Sequence, residues 1–411
     1  MFSLGLIAGW ISVAAWSYLL SAHGRFWSVP NARAAAALQK SPSADPASAA
    51  RIAVVIPARN EVDVIGRAIA SLVRQSGHDL HIFVVDDNST DGTAEAARGA
   101  AANRVTVISS RKLPPGWSGK LWAVQQGVEQ ALELKPDYLL LTDADIEHAP
   151  GNIVSLVDIA ETGGYDLVSF MVKLHCHSPA EKLLIPAFVF FFFLLYPPEW
   201  VRDQRRRTAG AAGGCMLIRP AALERIAGIA AIRHEIIDDC ALARAVKRSG
   251  GKVWLGLEGL ASGREFTRAG RAPIMTSSRL QPATPSYETR SLRPYGSLGR
   301  IERMIARTAF NQLHHSFWLL LGTVFGMLLL FVLPILLIVS LWPILAFAGA
   351  FAYGLTMFVY RPMVRYYRLN LLWALSLPFA GVFYTVATVH SAIKYWLGKG
   401  GEWKDRPQDV R

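Results

Sequence analysis

Two stretches decide the fold: Ile52-Ala-Val-Val-Ile56 followed by Pro57-Ala-Arg59-Asn60-Glu61, and His81-Ile-Phe-Val-Val85 followed by Asp86-Asp87-Asn88-Ser-Thr-Asp91-Gly92. Each is a short run of β-branched and aromatic residues that stops at a polar turn. The pattern recurs at Arg104–Ile108 and at Tyr138-Leu-Leu-Leu-Thr142, which is followed by Asp143-Ala-Asp145. Amphipathic stretches Val62–Arg74, Thr90–Ala101 and Lys120–Leu134 lie between them. Continuous apolar strands alternating with helices predict a parallel sheet covered on both faces, and such sheets bind ligands beyond the carboxyl ends of their strands. The acidic turns stand at those ends. Two carboxylates spaced by one residue can hold a hard divalent cation and leave its other positions to water and phosphate oxygens, although a solvated turn uses the same residues.

Outward from this unit the chain becomes apolar. Phe2–Leu20 is uncharged and long enough to cross a bilayer, and the first charge after it is Arg25, so it predicts an anchor rather than a cleaved signal. Residues 25–50, rich in Ala, Ser and Pro, predict a linker. Phe317–Leu341, Trp342–Tyr360 and Leu371–Trp396 predict three further spans within 317–397, leaving a basic tail at 398–411. The basic loop Arg361–Arg368 belongs on the cytoplasmic side by the positive-inside rule, and the 51–316 region lies on that side with it. The tail carries conflicting signals. An odd number of spans sends it across, whereas Lys394, Lys399, Lys404 and Arg406 favour the side of the other basic segments.

The 411 residues carry 43 Lys and Arg against 31 Asp and Glu, a net charge of +12, with 52% hydrophobic positions. That composition excludes a disordered chain and disfavours a purely soluble one. The basic excess suits a membrane surface, and no nucleic-acid partner is expected. Three cysteines, Cys176, Cys215 and Cys240, have no zinc or disulfide spacing. His175-Cys176-His177 alternates across a strand, so its three side chains do not close on one ion.

The ordered set Pro-x-Arg-Asn-Glu at 57–61, Asp-Asp-x-Ser-x-Asp-Gly at 86–92, Gly119-Lys120, Asp143-Ala-Asp145, Gly213-Gly214 and Asp238-Asp239-Cys-Ala-Leu242 resembles the family 2 glycosyltransferases over about 51–258. The resemblance implies an α/β GT-A (Rossmann-like) nucleotide-sugar domain, flanked here by the anchor and the C-terminal helix bundle. It implies that Pro57, Arg59, Glu61, Asp87, Lys120 and Asp143 bind the nucleotide sugar, that Asp145 with Asp143 holds Mg2+ or Mn2+, and that Asp239 is the catalytic base. Asp238, Gly213, Gly214, Arg300 and Arg303 fall on the acceptor or phosphate side. Asp238-Asp239 stands where the family has Glu-Asp, and its residues also suit the start of a helix. The family's Trp after Arg303 is replaced by Met304, which argues against a long-polymer synthase. Arg300, Arg303 and Arg307 also suit the basic face of a helix lying on the membrane.

Further strings, Trp117-Ser-Gly-Lys-Leu-Trp-Ala, Arg205-Arg-Arg-Thr208, Ser291-Leu-Arg-Pro-Tyr295 and Arg303-Met-Ile-Ala-Arg-Thr-Ala-Phe310, resemble the hopanoid-biosynthesis-associated glycosyltransferases. This implies a bacterial inner-membrane enzyme with its catalytic domain in the cytoplasm, a nucleoside diphosphate sugar donor (a uridine diphosphate sugar), a lipid acceptor, and hopanoid-pathway enzymes as partners. A ceramide or other glycolipid synthase, a polysaccharide synthase and a non-catalytic membrane scaffold are the alternatives. Leu183–Trp200 reads either as an interfacial segment beside the site or as a buried helix of the domain. Residues 259–288, rich in Gly, Pro and Arg, predict a mobile insertion, and 289–316 an interfacial helical region.

Overall fold

The computed structural model describes residues 2–28, 49–101, 103–257 and 288–398, with the backbone of 402–403 and 406–407. Most of the expected linker, nearly all of the 259–288 insertion and most of the basic tail lie outside the described residues. The α/β unit is built on a seven-stranded sheet: β1 (Arg51–Ala58), β2 (Asp79–Asp86), β3 (Val105–Ser109), β4 (Tyr138–Thr142), β6 (Leu167–Met171), β7 (Cys215–Ile218) and β8 (Val253–Leu257), in the order 3-2-1-4-7-6-8. Strands β1 to β4 pair in parallel, whereas β7 runs antiparallel to both β4 and β6. The sheet is therefore mixed, not the wholly parallel one expected. A two-stranded ribbon of β5 (Ile146–Glu147) and β9 (Arg290–Ser291) follows the Asp143–Asp145 turn.

The continuous apolar strands are explained by burial on both faces. Ile52, Val54 and Ile56 of β1 face one core, with helices α2 (Val62–Val73), α3 (Thr93–Ala100) and α5 (Asn152–Gly163). Ala53 and Val55 face the other, under α4 (Gly119–Glu133). There Gly127 lets helix and sheet approach closely, since a Cβ on it would stand 2.5 Å from Val55 Cγ1 and 2.9 Å from Val85 Cγ2.

That second core does not end at the domain. It continues through α6 (Pro179–Leu195) into the apolar helices. Phe190 packs on Phe26 and Tyr360, and Phe191 on Phe331 and Tyr384, with ring centroids 5.0–5.7 Å apart. The segment at 183–200 is thus a buried helix rather than an interfacial one, continued by the short α7 (Pro198–Arg202). Beyond β7, α8 (Pro220–Arg225) and α9 (Asp238–Arg248) complete the domain, and α10 (Leu298–Ala306) and α11 (Ala309–Gln312) lead to the bundle.

Among the described residues four helical segments are long and apolar enough to cross a membrane: α1 (Phe2–Ser21), α12 (Phe317–Ile338), α13 (Pro343–Tyr366) and Leu371–Trp396. Helix α13 runs on through Arg361, Pro362 and Arg365, where a loop was expected. Its beginning lies with that of α1, Phe2 against Trp342 at 4.8 Å, and its end meets the domain through Arg368–Glu288 at 3.0 Å. The last segment behaves differently. It descends as a 3-10 turn, Leu371–Ser376, whose Leu375 carbonyl accepts from Tyr353 Oη, in the middle of α13, at 2.7 Å. It then continues as α14 (Leu377–Trp396), with Gly381 against Phe331, and ends with Tyr395 stacked on His315 and Trp396 beside Phe317, the first residue of α12.

Because Gly127 sits where no Cβ fits, Gly127→Ala should destabilise the protein by about 1–3 kcal/mol through overpacking, read as a lower unfolding midpoint in detergent.

Candidate active site

The turns after β1 and β2 are laced to each other. Asn60 and Asn88 take positive φ (52° and 54°), a conformation asparagine tolerates, and the Asn60 amide donates to Ser89 Oγ at 3.0 Å while its side-chain oxygen accepts from the Thr90 amide at 2.9 Å. Arg59 donates to the carbonyls of Asp87 and Asn88 and lies 3.7 Å from the Asp87 carboxylate, which is 1% exposed. Pro57 lines a small cavity with Lys120, Asp143, Gly213, Asp238 and Leu242.

Lys120, in the first turn of α4, is the hinge of the acidic cluster. Its Nζ lies 3.0 Å from Asp143 Oδ1 and 3.1 Å from Asp238 Oδ2, so it joins the turn after β4 to the head of α9. Burial pulls the lysine pKa down, but Asp143, Asp238 and Asp239 together outweigh it and hold the residue charged. Asp238 and Asp239 occupy the first turn of α9, after Ile237, where the helix dipole favours carboxylates. Asp239 Oδ2 accepts from the Gly213 amide at 2.8 Å and Oδ1 from the Cys240 amide at 2.7 Å. A Cβ on Gly213 would stand 3.3 Å from Asp239 Oδ2, so a side chain there crowds the carboxylate. Gly214 serves from its other side, its carbonyl accepting from Thr142 Oγ1 at 2.7 Å. Burial, then the charge of Asp238, pushes the Asp239 pKa up to about 6 against Lys120 and the two amides.

Asp145 accepts from Ser291 Oγ at 2.8 Å and lies 3.4 Å from Arg293 Nε. The same guanidinium reaches Glu61 through Nη2. Arg293 has no place in the sequence-predicted site: Ser291–Tyr295 stood out only as a string, and nothing local reveals that it closes on Asp145 and on Glu61, 232 positions earlier. The structure thus gathers Pro57, Glu61, Lys120, Asp143, Asp145, Gly213, Asp238 and Asp239, with Arg59 and Asp87 at the adjoining turn. Arg300 and Arg303 stand apart on the exposed face of α10, opposite buried Ile301 and Ile305, and make no ion pair among the described residues.

Among the described residues no three His, Cys, Asp or Glu side chains converge to hold a metal ion unaided. The donor set still fits a hard divalent cation completed by phosphate oxygens: Asp143 and Asp145 offer carboxylates two positions apart. Among the described residues the cluster also sets five carboxylates (Glu61, Asp143, Asp145, Asp238, Asp239) beside two cations, Lys120 and Arg293.

Residues 53–227 match the family described as Glycosyl transferase family 2. An undecaprenyl-phosphate 4-deoxy-4-formamido-L-arabinose transferase of Pseudomonas fluorescens is 35% identical over 176 residues, 40% of this chain and 45% of that one. A 4,4'-diaponeurosporenoate glycosyltransferase of Staphylococcus haemolyticus is 38% identical over 98 residues, 23% of this chain and 24% of that one. The chain therefore spans less than half the length of the curated relatives it matches. The mannosyltransferase PcManGT of Pyrobaculum calidifontis, solved with GDP-Man and Mn2+, superposes with a TM-score of 0.50 over 95% of this chain and 99% of its own at 15% identity, which shows the shared GT-A fold.

Lys120→Met should leave Asp143 and Asp238 uncompensated and cost about 3–5 kcal/mol. The loss should be larger at pH 8 than at pH 5, because Asp143, whose folded pKa burial raises, regains stability on protonation; thermal unfolding at the two pH values checks it.

Proposed function

We propose that the protein is a membrane-bound inverting glycosyltransferase that moves a sugar from a nucleoside diphosphate donor to the hydroxyl of a lipid acceptor. The observation that carries this reading is the Lys120 bridge, which sets the base-bearing head of α9 against the Asp143–Asp145 turn in a family 2 domain. Glu61, Arg59 and Asp87, at the ends of β1 and β2, bind the nucleoside. Asp145 and Asp143 hold Mg2+ or Mn2+, which when bound supplies charge stabilisation to the departing diphosphate. Asp239 takes the proton of the acceptor hydroxyl as its oxygen attacks the anomeric carbon from the face opposite the diphosphate. The amides of Gly213 and Cys240 orient that carboxylate, and its raised pKa makes it a better base near neutral pH.

A lipid acceptor is supported by the unbroken core from the sheet through α6 into the apolar helices, and by a relative whose name carries undecaprenyl phosphate. The hopanoid class of lipid and a uridine diphosphate sugar follow from the sequence resemblance. Arg300 and Arg303 face the headgroup layer beside the site. The enzyme resides in the bacterial inner membrane with its catalytic domain in the cytoplasm. In this reading the chain crosses three times, by α1, α12 and α13, and Leu371–Trp396 is re-entrant. Supporting this, the segment starts against mid-α13 and ends against the first turn of α12. Arg361, Arg365, Arg368 and Lys394 then share the catalytic domain's side, in accord with the positive-inside rule.

Asp239→Asn should abolish transfer while leaving donor binding intact, and Asp145→Asn should abolish transfer with the protein still inserted in the membrane; release of nucleoside diphosphate in the presence of lipid extract reads both. In the wild type the rate should rise with pH through about 6, the folded pKa of Asp239, since only the carboxylate is a base; Asp238→Asn should move that limb to lower pH. For the topology, cysteines placed at Glu95 and at Gly398 should react with an impermeant thiol reagent from the same side of sealed vesicles. Labelling from opposite sides would make Leu371–Trp396 a full span.

A further inference from the structure

Glu181 is completely buried at the head of α6. With Ser178 it forms a capping box, Oε2 accepting from the amides of His177 and Ser178, each at 2.9 Å. That is all that helix capping asks of it. Its other oxygen does something else: Oε1 accepts from the amides of Tyr295 and Gly296 at 2.8 and 3.1 Å, and from His175 Nδ1 at 2.9 Å. Five donors on one carboxylate hold it ionised, the amides and the imidazole outweighing the burial that would raise its pKa.

The Tyr295 and Gly296 amides end a strap that is stitched to the site almost residue by residue. Arg290 Nε lies 3.0 Å from Glu147, Ser291 Oγ donates to Asp145, the Leu292 amide donates to the Asp145 carbonyl at 2.7 Å, and Arg293 spans Glu61 and Asp145. Those ion pairs use Nε and Nη2 of Arg293. Its Nη1 makes no hydrogen bond among the described residues, and the side chain is 41% exposed. A guanidinium held on one edge by carboxylates, with another nitrogen open beside the Asp143–Asp145 turn, presents a donor to an anionic oxygen arriving there.

We propose that Arg293 is a ligand of the donor's diphosphate, and that Glu181 is the positioning residue that sets it by fixing the Tyr295 and Gly296 amides. The inference rests on the glycosyltransferase reading. It makes one buried carboxylate, remote from the reacting atoms, responsible for a cation inside the donor site. In Glu181→Gln the amide NH2 must face donors on one side or the other, so the strap loses its tether while most of the volume is kept.

The test is calorimetric titration of the full-length protein in detergent with UDP, GDP and uridine in the presence of Mg2+. Arg293→Ala should weaken nucleoside diphosphate binding by about ten- to a hundredfold, the worth of one or two charge-assisted hydrogen bonds, and leave uridine binding unchanged. Arg293→Lys should recover part of the loss. Glu181→Gln should reproduce the Arg293→Ala loss, Glu181→Asp should fall between it and the wild type, and the double variant Glu181→Gln/Arg293→Ala should be no worse than Arg293→Ala. Wild-type diphosphate affinity in Arg293→Ala, or additive losses in the double variant, would overturn the inference while leaving the glycosyltransferase reading standing. A wild type that binds neither diphosphate overturns that reading itself. If Glu181→Gln does not fold, the Glu181→Asp and Arg293 variants carry the test.

Discussion

Helix α6 is apolar on nearly every face, and such a helix has to be surrounded. The sheet's core covers one side of it, and Phe26, Phe331, Tyr360 and Tyr384 cover much of the rest. No single layer supplies that many partners. Catalytic domain and apolar helices therefore share one core, and the Tyr384 hydroxyl donates to the Leu184 carbonyl within it at 3.0 Å. Pro186 inside the helix is tolerated in this packed setting, where its neighbours hold the backbone in place.

Electrostatics then organise what the core has placed. Lys120 gathers the turn after β4 and the head of α9, and Arg293 gathers the turns after β1 and β4. These two cations arrive from opposite directions, one on a helix that covers the sheet and one on a strap that returns from beyond β8. Neither of the two reaches every carboxylate of the cluster: Lys120 pairs with Asp143 and Asp238, Arg293 with Glu61 and Asp145.

Much of the sheet was legible because strands covered on both faces need unbroken apolar runs, and Ile52–Ile56, His81–Val85 and Tyr138–Thr142 have them. The direction of β7 was not legible: Cys215–Ile218 is apolar whichever way it runs. Residues 183–200 carried two readings because burial of an apolar segment depends on what packs on it, and its partners Phe26, Phe331, Tyr360 and Tyr384 are scattered along the chain. Glu181 carried no signal in the sequence, for its strap partners lie 114 and 115 positions away. The contact of Leu375 with Tyr353 in the middle of α13 was hidden for a related reason, since length and hydropathy say whether a helix is able to cross and not where it begins. The acidic residues of the site were the easiest to find, each standing directly after a strand or at a helix head.

The strap also acts as a measure of height. Only five chain steps separate Arg293, seated on the acidic cluster, from Leu298, where α10 begins its packing along α14 and α6. Fully extended, that stretch covers at most about 18 Å. The acidic cluster is thereby tethered within that distance of the helix that packs on the apolar segments. In the lipid-acceptor reading proposed above, such a tether favours a hydroxyl that rides close to the membrane over one carried on a long, outstretched headgroup.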